Sequence, residues 1–82
     1  MEEAKENWLN IDTTGRIAFF RITGTYVTFG ENAILVRKLT GVTLRTFDEI
    51  EYIIMHDKMF YSYVTDLLRK GQRVTVVKYL SA

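Results

Sequence analysis

Few side chains in this 82-residue sequence could carry out chemistry, and they lie far apart along the chain. His56 is the single histidine, and Asp57 beside it would make a pair able to move protons. The serines are Ser62, inside an amphipathic segment, and Ser81, next to the last residue. Nucleophilic catalysis needs a nucleophile, a base and an orienting group within mutual reach. A solvated histidine at a helix start explains His56 better, so the sequence argues against an enzyme.

The sequence gives equally little support for a metal or nucleotide site. It contains no cysteine, which excludes disulfides and zinc sites built on thiolates. Asp48, Glu49 and Glu51 offer oxygen ligands for a hard cation, but their positions around a strand start fit a polar turn better. The segment 24–30, GTYVTFG, lacks the lysine and the Ser/Thr of a phosphate-binding P-loop. We expect no cofactor, no metal and no small-molecule substrate.

Length and composition indicate one cytoplasmic domain. A chain of 82 residues with 48% apolar residues is within the range of a single globular core. The longest apolar runs have four residues, and the acidic N-terminus is unlike a signal peptide. We expect residues 1–82 to form a stand-alone domain with no membrane partner. Residues 1–7 are either a flexible leader or part of a short helix over Glu2 to Asn10.

The charge is unevenly distributed. The net charge is +1, made of −3 over residues 1–12 and +4 over residues 13–82. A weakly basic body is compatible with DNA but is also the ordinary charge of a solvated surface.

The apolar pattern predicts an α+β fold with one mixed β-sheet packed by two main helices. The element order is β-β-α-β-β-α-β, after the short N-terminal helix. Residues 16–22 are almost continuously apolar, which is typical of a strand covered on both faces. Six apolar residues between Met59 and Leu68 recur on one helical face. The predicted strands are 16–22, 26–29, 42–47, 50–55 and 73–80, and the predicted helices are 31–40 and 57–70.

The aromatic residues raise the question of nucleic-acid stacking. There are five Phe, five Tyr and one Trp, and a sheet that displays aromatics can stack single-stranded bases, as in RNA-recognition domains. The RNP1 pattern of those domains is missing, however, and most of these rings are expected in the core.

The stretch FFRITGTYVTFGENA, residues 19–33, resembles the signature of the N-terminal mismatch-recognition domain, domain I, of the MutS DNA mismatch repair family. That signature runs Phe-Tyr-Arg-Met-Gly-Asp-Phe-Tyr-Glu-Leu-Phe-Tyr-Asp-Asp-Ala. The identical positions are Phe19, Arg21, Tyr26, Phe29 and Ala33, and those alike in kind are Phe20, Ile22, Glu31 and Asn32. The segments NWLNI and MFYSYVTDLLRKGQRVTVV are also similar to the family, so the likeness spans residues 8–77. The resemblance implies the MutS domain I fold and an ancestry in DNA binding.

Two departures bear on what the resemblance implies. The family turn carries a Phe-x-Glu motif, whose phenylalanine stacks on the mispaired base and whose glutamate hydrogen-bonds it. Those positions are Thr25 and Val27 here. Threonine cannot wedge between bases as a ring does, and valine has no hydrogen-bonding group. The clamp, lever and ATPase of a MutS protein are not encoded in these residues either.

Two functions from different classes follow. The first is a small DNA-binding module without mismatch specificity, which would bind DNA weakly and independently of sequence. Its candidate nucleic-acid-binding residues are Arg21, Thr23, Gly24, Thr25, Tyr26 and Val27. The alternative is a protein-interaction or regulatory module that uses the same scaffold and does not bind nucleic acid. A basic face around the turn at residues 23–25 would favour DNA, and an exposed apolar patch would favour a protein partner.

Overall fold

The computed structural model describes residues 2–9 and 13–78 of the chain. The helices are α1 (Glu2–Leu9), α2 (Gly30–Thr40) and α3 (Asp57–Arg69). The strands are β1 (Ile17–Ile22), β2 (Thr25–Phe29), β3 (Arg45–Phe47), β4 (Ile50–His56) and β5 (Val74–Lys78). Asn10, Tyr79 and Leu80, which the sequence assigned to helix and strand ends, lie outside the described residues. The predicted element order is confirmed.

The five strands form one mixed sheet in the order β3-β4-β2-β1-β5. Strand β1 pairs antiparallel with β2 and parallel with β5, while β4 pairs antiparallel with both β2 and β3. The predicted α+β architecture is therefore confirmed, and β1 lies inside the sheet, as its continuous apolar run requires.

Side chains alternate between the two faces of the sheet, and both faces are covered around β1. Ile17 and Phe19 pack on α2 and α3, on what we call the two-helix face. Ala18 and Phe20 pack against Trp8 of α1, on what we call the Trp8 face. Each of these four β1 residues exposes at most 1% of its surface. The near-continuous apolar sequence of β1 is thus explained by two separate cores.

Helix α2 ends as its sequence predicts. Gly41 adopts the left-handed conformation at φ +79°, and its N–H donates a hydrogen bond to the Arg37 carbonyl. Glycine takes this conformation without the steric cost that a Cβ would add. Arg37 and Lys38 lie in the last turn, where cations interact favourably with the helix dipole.

Two local expectations differ from the structure. Strand β3 begins at Arg45 and not at residue 42, because Val42 and Leu44 pack on the two-helix core from the preceding connection. On α3, Phe60 and Leu67 are buried as expected, but Leu68 is 54% exposed. Successive helical residues point about 100° apart, so Leu68 lies off the buried stripe that Leu67 occupies.

Candidate nucleic-acid interface

The connection between β1 and β2 is a two-residue hairpin turn. Ile22 and Thr25 pair across the ladder, which leaves Thr23 and Gly24 as the turn. Both turn residues have positive φ, at +28° and +73°, the combination found in type I′ turns. Glycine accepts this freely, whereas a β-branched threonine does so only under strain. The turn places the exposed Thr23 and Gly24 at one end of the sheet.

The two positions that follow the turn on the Trp8 face are not free to recognise a base. The Thr25 hydroxyl donates a hydrogen bond to the Ile22 carbonyl at 2.6 Å, within the hairpin itself. Val27 exposes 0% of its surface and belongs to the buried cluster of Trp8, Phe20 and Phe29. One side chain is thus engaged locally and the other is part of the core.

Helix α1 covers this part of the Trp8 face. The Trp8 ring lies 6.2 Å from Phe20 at an interplanar angle of 82°, and 5.9 Å from Phe29. Gly30 lies next to this ring at φ +57°, a conformation that favours glycine, and a Cβ there would lie 3.5 Å from the indole Nε1, an ordinary contact distance. Lys5 also forms an ion pair with Asp48 in the β3–β4 turn, at 2.5 Å. These contacts hold α1 over the hairpin.

The opposite side of the hairpin carries an aromatic group centred on Tyr26. This ring is only 4% exposed and stacks on Phe60, with centroids 3.7 Å apart and an interplanar angle of 6°. The Arg21 guanidinium lies 6.0 Å from the centre of the Tyr26 ring, within the range of a cation–π contact. The ring of Tyr61, on α3, also contacts Tyr26, and the two ring centroids lie 6.4 Å apart.

A hydrogen bond with Tyr61 raises the pKa of the Tyr26 phenol above its ordinary value. Burial and the negative charge that Tyr61 would carry at high pH act in the same direction, while the positive charge of Arg21 opposes them. Tyr26 is therefore a neutral structural group that links β2 to α3.

A family model for MutS domain I matches residues 5–82 of this chain. The chain belongs to the MutS domain I family. It is also 33% identical over 69 residues to the DNA mismatch repair protein MutS of Thermodesulfovibrio yellowstonii. That match covers 78% of this chain but only 8% of the relative, so the chain spans a small part of that protein's length.

In this MutS domain I, the signature positions that match the family are mostly scaffold. Phe19, Phe29 and Ala33 expose none of their surface and Tyr26 exposes 4%. Arg21 is the exception, since it is exposed beside the turn. Most of the residues that carried the resemblance therefore specify the fold.

Two polar side chains, the buried Thr28 and the half-buried Asn32, have a role that the sequence did not reveal. The Thr28 hydroxyl donates a hydrogen bond to the Ala18 carbonyl at 2.8 Å, and the Asn32 Oδ1 accepts one from the Ala18 N–H at 2.9 Å. Both bonds form where β2 leaves β1 to enter α2. They satisfy backbone groups that would otherwise be buried without a partner.

The surface around the turn is modestly basic. Arg21 and Lys58 are exposed, and His56 lies opposite Thr25 in the β2–β4 ladder. Asp57, at the start of α3, contributes one negative charge to the same end of the sheet. The six candidate residues thus separate into an exposed group, Arg21, Thr23 and Gly24, and a buried pair, Tyr26 and Val27, with Thr25 half-buried between them.

The carboxylates considered for a cation lie at the opposite end of β4. Asp48 is paired with Lys5, and Glu49 next to it is exposed. Within residues 2–9 and 13–78, no three His, Cys, Asp or Glu side chains lie close enough together to hold a metal ion. Among the same residues, no helix is both long and apolar enough to span a membrane.

Proposed function

We propose that this MutS domain I is a non-catalytic DNA-binding module that does not distinguish mismatched from matched duplex. The burial of Val27 carries this proposal. Val27 stands where the family signature has the glutamate that hydrogen-bonds the mispaired base, and here the position is inside an apolar core. DNA binding itself is supported by membership of the family and by the relative, which is a DNA mismatch repair protein.

The accessible groups near the turn suit phosphate contact better than base recognition. Arg21 supplies a guanidinium, and the Thr23–Gly24 turn can bring its backbone close to a phosphate because the side chains are small. Contacts of this kind position a protein on DNA without sequence information. We therefore expect weak binding that depends on the backbone of the DNA.

The alternative, a module that binds only a protein partner, would be favoured by one contiguous apolar surface. The large exposed apolar side chains of the described residues are distributed over all three helices and over both faces of the sheet. They are Leu9, Ile34, Ile54, Tyr61, Leu68 and Val76. Isolated exposed apolar residues are normal on soluble domains, so this distribution does not favour the alternative.

A salt titration on DNA tests the proposal. Fluorescence anisotropy with a labelled matched duplex is measured between about 50 and about 200 mM salt. We expect the affinity to fall as salt rises, with a shallow slope because few phosphates are contacted. Absence of binding at the lowest salt would contradict the proposal and favour a protein partner.

Arg21→Ala and Arg73→Ala make a matched pair of variants for that titration. Both remove one exposed arginine, but the backbone of Arg73 pairs with Ile17 at the start of β1, about 17 Å along the strand from the turn. We expect Arg21→Ala to weaken DNA binding and to reduce the slope of log affinity against log salt concentration by about one. Arg73→Ala should change neither the affinity nor the slope. Equal effects of the two variants would show that the turn is not the contact surface.

A further inference from the structure

Tyr61 is an exposed aromatic ring held in place by buried rings. It is 63% exposed, although it lies on the helix that packs on the two-helix face. Its centroid is 5.7 Å from that of Phe60 at 67°, and 6.4 Å from that of Tyr26 at 63°. These edge contacts fix the orientation of the Tyr61 ring while most of its surface stays open.

Two exposed cations, Arg21 and Lys58, lie at positions near this ring. Arg21 lies over Tyr26, the ring that Tyr61 contacts. Lys58 precedes Tyr61 by three residues on α3, which places the two side chains next to each other on the helix surface. The ion pairs found among the described residues, Lys5–Asp48 and Lys70–Asp66, involve neither of these cations. Asp57 lies one helical turn before Tyr61. Its negative charge offsets one of the two positive charges, so the net charge around Tyr61 stays slightly positive.

We infer that Tyr61, with Arg21 and Lys58, forms a stacking site for an unpaired base of single-stranded DNA. An open aromatic face beside cations is the combination by which proteins bind single strands, because every base has a face to stack and flanking phosphates to contact. In duplex DNA the base faces are occupied by their neighbours, so this site selects unpaired bases. The inference rests on the proposed function, since it extends the contact surface of the same DNA-binding module from Arg21 onto α3.

The site is separate from the family's base-contacting positions. Thr25 and Val27 lie on the Trp8 face, whereas Tyr26, Phe60 and Tyr61 belong to the two-helix side of the sheet. The Tyr61 site therefore does not occupy the position of the family's Phe-x-Glu motif. Substitutions of Tyr61 leave the residues of the hairpin turn unchanged.

Binding of a labelled oligothymidine strand tests the inference. We compare the wild-type chain with Tyr61→Ala, Tyr61→Phe and Leu68→Ala under the same low-salt conditions. Leu68 is the matched control, because it is 54% exposed on the same helix, two turns further on. We expect Tyr61→Ala to bind at least about fivefold more weakly, and Tyr61→Phe and Leu68→Ala to stay within about twofold of the wild type.

The possible results separate this inference from the proposed function. Wild-type protein that binds duplex but not oligothymidine, or Tyr61→Ala that binds oligothymidine as the wild type does, overturns the inference alone. Wild-type protein that binds neither probe overturns both the inference and the proposed function.

The fluorescence emission of Trp8, which is the single tryptophan and is buried, verifies that each variant is folded. If Tyr61→Ala unfolds, Tyr61→Leu keeps apolar contact with Phe60 without an aromatic face, and the same fivefold loss is expected.

Discussion

Phe20 and Val27 are direct partners in the β1–β2 ladder, and neither exposes more than 1% of its surface. Trp8 covers the cluster to which both belong. In the family signature the position of Val27 is a glutamate that contacts the mispaired base. In this domain, therefore, the position has become part of the hydrophobic core, and α1 lies on the face from which it would otherwise be reached.

Val27→Glu is expected to destabilise the domain strongly. The substitution places a carboxylate among the buried rings of Trp8, Phe20 and Phe29, where it loses its hydration. We expect the free energy of unfolding to fall by about 3 kcal/mol or more. Urea denaturation followed by circular dichroism measures the change.

Ile54→Glu is the control for that experiment. Ile54 is the β4 partner of Val27 and lies on the same face of the sheet, but it is 40% exposed. A glutamate there keeps contact with water, so the loss should be about 1 kcal/mol or less. Equal losses for the two variants would show that Val27 is not enclosed as the structure has it.

Thr28→Val tests the hydrogen bond at the point where β2 leaves β1. Valine has nearly the same shape, but the Ala18 carbonyl loses its hydroxyl partner in a fully buried place. We expect a loss of about 1–3 kcal/mol in the free energy of unfolding. Thr65→Val removes a similar hydroxyl contact, to the Tyr61 carbonyl on the exposed side of α3, and should change stability little. If both variants behave alike, the Ala18 bond contributes nothing specific.

The fold was largely predictable from the sequence because its signals are local. The apolar run of β1, the positive-φ glycine after α2 and the stripe on α3 are each readable within one element. The predicted start of β3 was wrong because Val42 and Leu44 are apolar for a tertiary reason: they pack on the two-helix core from the connection before the strand. No local pattern separates that case from a strand.

The site was less predictable because it depends on contacts between distant parts of the chain. The resemblance placed Thr25 and Val27 at the positions of the family's motif, but the burial of Val27 depends on Trp8 of α1. Tyr61 was not among the candidate residues. The apolar stripe of α3 predicts that its neighbour Phe60 is buried, but it does not predict how much of Tyr61 is exposed. The sequence signal that could have identified Tyr61 is an aromatic residue next to the apolar stripe of an amphipathic helix.

Alkaline pH is expected to destabilise the domain through Tyr26. Its pKa is raised in the folded state, so this residue's contribution to stability is complete below its ordinary pKa of 10.0 and is lost as the pH rises through the higher folded value. Tyr26→Phe should remove that part of the decline, which separates it from the titration of lysines. Urea denaturation of both proteins between about pH 8 and about pH 11 makes the comparison. Parallel stability curves for the two proteins would contradict the raised pKa.

The most direct test of the account compares a matched and a mismatched duplex that share length, flanking sequence and salt concentration. Because Val27 is buried and the Thr25 hydroxyl is bonded to Ile22, we predict that the two affinities agree within about twofold. A preference for the mismatch beyond about tenfold, or about 1.4 kcal/mol, would contradict the proposal that this domain does not distinguish mismatched from matched duplex.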